Sequence, residues 1–308
     1  MDRINYSIII PHKNSENLLK RCLESIPYRN DIQIIVVDDN SASKENIQKI
    51  KEIFPYVKVI LTTEGRGAGY VRNVGLKYAS GKWLLFADAD DFYNETAFSV
   101  LDRYINSDND IIYFFASSID LNTLLPTPRE KDLERIYRKY NSKDVRTEDY
   151  IRFKNWVPWN KMIRGDLVRK NCVYFDEIPF GNDLNFSQKI SFLAEKYEII
   201  EDRLYCLTYS QDSITYKPRS YELESLSLSL RAQLNIYFKR LHRPFWHKYT
   251  CVYIVQIAHR KGIQYAWGYM NYLLKNRKEI QCKVRQNKAL IEDFFRLNIE
   301  NNNAPKYN

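Results

Sequence analysis

The chain has no short-spaced cysteine pair: its five cysteines, Cys22, Cys172, Cys206, Cys251 and Cys282, are scattered through 308 residues. That excludes a zinc knuckle or a dense disulfide framework and favours reduced thiols in the cytoplasm. No apolar run approaches the roughly 18 residues a spanning helix needs. Met1-Asp2-Arg3 leads almost directly into "YSIII", without the charged and apolar regions of a secretory signal. Glycine is sparse, nine in all, and "PHKNSEN" after the first apolar run holds none. A glycine-rich phosphate loop is therefore missing, which weighs against a nucleotidyltransferase. Histidine is sparse too, and His12 alone falls in the first 216 residues, so it reads as a turn residue rather than a metal ligand.

Cationic surface is lacking over most of the chain, despite a formal net charge of +9. Residues 217–308 carry 17 Lys and Arg against 6 Asp and Glu, whereas residues 1–216 carry 30 against 32. The basic character belongs to the tail, and nothing in the first 216 residues calls for nucleic acid as partner.

What is present is strand–helix alternation. Apolar runs at 6–11, 32–39, 57–63, 82–90 and 110–118 are continuous rather than alternating, as expected of strands buried on both faces in a mostly parallel sheet. Helical spacing occupies 15–26, where Ser15 is a candidate cap, and also 43–54, 67–80 and 94–107. This pattern predicts an α/β fold with flanking helices. Residues 119–155 are polar and predict loop and helix without a core. A short strand at 172–178, a helix near 182–195 and a strand at 203–215 follow. From 217 onward the spacing of Leu223, Leu226, Leu230, Leu234, Tyr237 and Leu241 predicts a helical extension.

In such sheets ligands gather beyond the carboxyl ends of the strands. Acidic residues stand at two of those ends: Asp38 and Asp39 after the second run, and Asp88, Asp90 and Asp91 after the fourth. Two carboxylate clusters at one sheet edge repel unless something positive lies between, which suggests a divalent cation with the phosphates it carries. A helix cap needs only one carboxylate, and Asp91 reads equally well as that cap.

"SIIIPHKNSENLLKRCLESI", "IIVVDDNS", "GAGYVRNVGLKYASGKWLLFADADD" and "WNKMIRGDLV" resemble the inverting family 2 glycosyltransferases of the GT-A fold, over about residues 5–215. The resemblance implies a Rossmann-like, mostly parallel sheet in a catalytic domain at 1–216. Residues 1–118 would be its nucleotide-sugar half and 119–216 its acceptor half, with a basic helical region at 217–308. It implies transfer from a nucleotide diphosphate donor, a UDP-sugar in most relatives, to a glycan or lipid-linked acceptor in surface polysaccharide synthesis. Pro11, Asp38, Asp39, Arg72 and Asp88 would serve the donor, and Asp90 would hold Mn²⁺ or Mg²⁺. The general base would be Asp183, with Asn182 where relatives carry Glu; Asp176 and Glu177 are nearby competitors. Trp159 and Lys161 are candidates for the acceptor site, Trp159 being equally readable as packing. Lys13 stands where relatives carry an aromatic residue.

Lys and Arg interleave with Phe, Tyr and Trp over 237–249, and basic residues continue to 288. A solvated basic face is the plain reading of 237–288; beside a sugar-transferring domain, an anionic membrane surface at the inner face of the cell membrane is the functional one. The alternative functions are a GT-A scaffold that has lost catalysis, with Asn182 as its mark, or a nucleic-acid- or membrane-binding protein acting through the basic tail.

Overall fold

The computed structural model describes residues 3–138, 140, 144–209, 220–226 and 250–282, with single positions at 285, 286, 289 and 293. It falls into two compact units, Met1–Ser213 and Ile214–Asn308.

The first unit is built on strands β1 (Tyr6–His12), β2 (Ile32–Asp38), β3 (Lys58–Leu61), β4 (Trp83–Phe86), β5 (Phe92–Tyr93), β6 (Ile111–Asp120), β7 (Lys161–Arg164) and β8 (Tyr197–Tyr209). Helices α1 (Glu16–Glu24), α2 (Lys44–Ile53), α3 (Ala68–Tyr78), α4 (Ala97–Leu101), α5 (Pro128–Tyr137), α6 (Val145–Asp149), α7 (Gly165–Lys170) and α8 (Leu184–Leu193) connect them. One sheet runs β3-β2-β1-β4-β7-β6-β8-β5. β1 to β4 are mutually parallel where they pair, β7 is antiparallel to both neighbours, and β6 and β8 are parallel. This is the α/β architecture expected of the sequence.

The isoleucine and valine runs form strands because both sheet faces are covered: Ile8, Ile9, Ile10, Ile35, Val36 and Val37 are all fully buried. α3 lies close on β1, since a Cβ on Gly75 would come within 2.5 Å of Ile9 Cγ2. β1 pairs with β2 through His12 but with β4 only as far as Ile9. Ala87 N–H still donates to Ile9 O, and the next residue of that edge in line to donate would be Pro11, which has no N–H. The ladder ends there, and the chain after β4 is free to leave the sheet as the acidic turn.

Several expectations are corrected. The helix predicted at 94–107 is only α4 plus a 3₁₀ turn at Asp102–Tyr104. Ser15 sits at the cap of α1, yet its hydroxyl makes no capping bond; its N–H donates to His12 Nε2 at 3.2 Å. Residues 119–155 do join the core. Tyr137 stacks on Phe115 with centroids 3.8 Å apart and takes the Ala116 N–H on its hydroxyl at 2.9 Å, and Ile151 and Phe153 are buried. Polar composition hid this, because the packing uses a few aromatic anchors rather than a continuous stripe. The segment 172–178 is not a strand; Asn73 takes the place of a ladder partner by bonding both the N–H and the carbonyl of Phe175. The last strand begins at Tyr197 rather than 203.

In the second unit, helices Thr250–Lys261 and Ile263–Lys275 turn at Gly262, whose φ of 89° suits glycine. They pack around Ile257, Ala266 and Tyr269, with Tyr221 lying against Gly268, and Lys261 pairs with the buried Glu224 at 2.5 Å. Of the predicted leucine stripe, Leu223 and Leu226 lie among the described residues and the rest do not.

Candidate active site

Two loops at the carboxyl edge are stitched together. Asp38 is buried and accepts from Ser41 N–H at 2.8 Å and from the Ser41 hydroxyl, while its Oδ1 lies 2.8 Å from His12 Nδ1. Because His12 Nε2 accepts the Ser15 N–H, Nδ1 carries the proton and donates to Asp38. His12 is thus a buried strut, and Asp38 holds the turn. Asn14, at φ 49°, closes the pair of loops by accepting the Ala42 N–H at 2.8 Å. Pro11 is half-buried, one residue before His12.

Asp39 is buried beside them. Its Oδ1 accepts the Gly67 N–H at 3.0 Å and its Oδ2 the ammonium of half-exposed Lys13 at 3.1 Å. Gly67 caps α3 at φ 89°. Gly69 lets α3 approach the 176–182 loop, because a Cβ there would strike Asp176 O at 2.1 Å.

Arg72 rises from that part of α3, buried over the Phe175 ring at 5.4 Å. Its Nη2 donates to Asp88 Oδ1 at 2.6 Å and its Nη1 to Asn182 Oδ1 at 2.8 Å. The repulsion expected between the acidic clusters is therefore relieved partly by the protein itself, with Lys13 on Asp39 and Arg72 on Asp88.

The turn after β4 sorts its three carboxylates by direction. The Asp88 N–H donates to the Tyr205 hydroxyl at 2.8 Å. Asp91 is buried, and its Oδ1 accepts the Thr208 N–H at 2.8 Å, so it fastens the turn to β8. Asp90 is gripped by its backbone: its carbonyl accepts from Arg21 Nη2 at 2.6 Å and from the Thr208 hydroxyl. Its side chain reaches solvent, yet the surrounding protein first, and Asp88 second, push its carboxyl up to about 6.

Asp183 stands at the N-cap of α8 but makes no side-chain capping bond. Burial pushes its carboxyl up to about 6; Arg72 and, more weakly, Lys161 oppose this, while Asp88 adds to it. Its competitors are engaged otherwise. Asp176 accepts from Asn185 Nδ2 at 2.6 Å, and Glu177 pairs with Arg66 and accepts from Asn73.

The glycosyl transferase family 2 model matches residues 7–169, over half the chain. The chain belongs to glycosyl transferase family 2. It is 26% identical over 271 residues to the uncharacterized glycosyltransferase EpsJ of Bacillus subtilis, covering 80% of this chain and 78% of EpsJ. The structure of Staphylococcus aureus TarS 1–349 with UDP-GlcNAc superposes with a TM-score of 0.58 at 21% identity, over 76% of this chain and 66% of that one. Against full-length TarS, a poly(ribitol-phosphate) beta-N-acetylglucosaminyltransferase, the chain spans only 35% of the relative's length. A mannosyltransferase from Pyrobaculum calidifontis, solved with GDP-Man and Mn²⁺, gives 0.51 at 15% identity over 94% and 81% of the two chains. The fold is GT-A.

Two acceptor candidates of this transferase prove to be internal. Lys161 is fully buried, and its ammonium donates to Asn155 O at 3.0 Å, Asn160 Oδ1 at 2.6 Å and Val157 O. It clamps the loop before β7; burial pushes it down to about 7, against the pull of Asp183. Trp159 is buried and stacked on Tyr205 at 5.2 Å, behind the Asp88 turn. The sequence reading missed Arg129, on α5. Its charge weakly opposes the rise of the Asp90 and Asp91 carboxyls. Nothing in its local sequence marks it, since the segment reads as a charged loop.

Among the described residues, no group of three or more His, Cys, Asp and Glu is arranged to hold a metal ion. Asp90, exposed and with its carboxyl pushed up by burial and by Asp88, would be the residue to meet a cation shared with substrate phosphates.

Proposed function

We propose that the transferase moves a sugar from a nucleotide diphosphate, a UDP-sugar, to a hydroxyl of a glycan or lipid-linked glycan in surface polysaccharide synthesis, with inversion at the anomeric carbon. The observation that carries this is Asp183: a carboxylate at a helix start, released from capping, with its carboxyl near 6 and in the same electrostatic cluster as Arg72 and Asp88. That is the state a general base needs to take the acceptor's proton near neutral pH.

In this reading Asp39 and the Pro11 end of β1 receive the base, with Lys13 beside them. Arg72 orients Asp88 toward the donor's ribose or sugar. Mn²⁺ or Mg²⁺ held by Asp90 would supply positive charge to the departing diphosphate. UDP is favoured by the likeness to TarS with UDP-GlcNAc, and GDP is the competitor that the mannosyltransferase suggests. Residues 237–288 would dock on an anionic membrane surface. Residues 237–249, 283, 284, 287 and 288 lie outside the described ones; of the rest, exposed Lys275, Arg277 and Lys278 lie at or beyond the end of a helix whose Ile263 and Trp267 are also exposed.

Calorimetric titration of the full chain with UDP and with GDP, each with Mn²⁺ and with EDTA, tests the donor half. We expect UDP to bind with Mn²⁺ and the binding to be lost in Asp90→Ala. Binding of neither nucleotide would overturn it.

A further inference from the structure

The strand ends opposite the candidate active site hold a second cleft, of about 280 Å³, walled by Arg3, Ser80, Lys82, Arg164, Asp166 and Arg169. Topology creates it. β7 runs antiparallel to β4, so its last residue, Arg164, lies opposite Trp83, the first residue of β4. The segments meet backbone to backbone: Gly165 N–H donates to Lys82 O at 2.8 Å, and a Cβ on Gly165 would come within 2.7 Å of Gly81 O.

Two of the four cations are fixed in place. Arg164 lies over Trp83 at 4.7 Å, donates to the carbonyls of Ser107 and Asn109, and is 4.0 Å from Asp110. Arg169 donates to Gly81 O at 3.3 Å and to Asp166 at 2.9 Å. Arg3 and Lys82 have no ion-pair partner among the described residues. Burial, then the like charges of Arg164 and Arg3, push the Lys82 ammonium down, opposed by Asp108, which is itself exposed and paired with Lys196 at 3.9 Å. Four cations around one cleft with a single lining carboxylate, already claimed by Arg169, leave a concave positive field.

We propose that this cleft is a second anion site, taking a phosphoryl group carried either on a soluble phosphate ester or on a lipid headgroup. Two guanidiniums held in place, beside Arg3 and Lys82 without ion-pair partners among the described residues, suit a tetrahedral oxyanion with more than one charge. Nothing in this site draws on the sugar-transfer chemistry at the other edge.

The full chain is titrated in EDTA with inorganic phosphate and with pyrophosphate, and sedimented with phosphatidylcholine vesicles with and without phosphatidic acid. Wild type, Asp90→Ala, Lys82→Gln and Arg3→Gln are compared. We expect binding to persist in Asp90→Ala and to weaken at least tenfold in Lys82→Gln. A Lys82-dependent signal with the soluble anions assigns a phosphate ester; one confined to phosphatidic acid vesicles assigns a headgroup. An unchanged melting temperature certifies the fold of each variant, and Arg3→Gln, at an exposed position, carries the same readout if Lys82→Gln is unstable. Binding unchanged in both variants, or absent with every probe, overturns the proposal.

Discussion

Arg72 and Asn182 meet at 2.8 Å, and the other arm of the same guanidinium holds Asp88 at 2.6 Å. One side chain on α3 thereby joins the turn after β4 to the residue that precedes Asp183. A lysine cannot span both, having one point of charge where Arg offers a fork. Arg72→Lys is expected to lower kcat/KM by about 10- to 100-fold, consistent with losing roughly 1.5–3 kcal/mol of charge-assisted hydrogen bonding. Steady-state kinetics against donor and acceptor would check it; unchanged kinetics would make the fork purely architectural.

Asp183→Asn keeps the shape and removes the proton acceptor. Turnover should fall by roughly 10²–10⁴ while the affinity for UDP with Mn²⁺ stays within a few-fold. Near-normal turnover would remove Asp183 from the mechanism.

The pH profile follows from the same carboxyl. Asp183 sits near 6, raised above the usual carboxylate range, so it is protonated and idle below that pH. At saturating donor, kcat should fall about tenfold per pH unit below about 6 and level off above it. Asp90 also titrates near 6, so donor affinity should weaken over the same range, and measuring kcat at saturation separates the two.

Asn182→Glu places a carboxylate where Arg72 now finds an amide oxygen. It would claim the guanidinium that lowers Asp183 and add negative charge beside it. The acid limb of kcat should then move upward, on the order of one pH unit. A limb that stays in place would mean that another group titrates there.

Arg129→Gln removes a cation of α5 whose charge acts on Asp90 and Asp91. If it meets the donor's phosphates, UDP affinity should drop by about 10-fold, roughly the 1.4 kcal/mol of one exposed charged contact, without loss of thermal stability. An unchanged dissociation constant would restrict its role to the local field.

The chemistry-bearing positions were legible because they follow from local pattern. Ile- and Val-rich runs that break at Asp39 and Asp88 announce buried strands with carboxylates at their ends, and the parallel arrangement brings those ends to one edge. The same pattern announced α3 and α8, and the family resemblance singled out Arg72 and Asp183 there. What each carboxylate does was not legible. Asp88, Asp90 and Asp91 are alike in sequence, and only tertiary contacts, Arg72 to the Asp88 carboxylate and Thr208 to that of Asp91, leave Asp90 as the outward one.

Lys161 and Trp159 carry the same lesson. A charged and an aromatic residue in a family-like motif suggested a substrate, but the close packing of that loop buries both, and the ammonium is satisfied by carbonyls that no local reading supplies. Sequence alone determined the succession of strands and helices as far as β4 and the identity of the acids, because hydrophobic periodicity and backbone chemistry are local. Tertiary structure decided which acid is spent on the fold and which stays free, because hydrogen-bond satisfaction in a buried cluster depends on partners that only folding brings within about 3 Å.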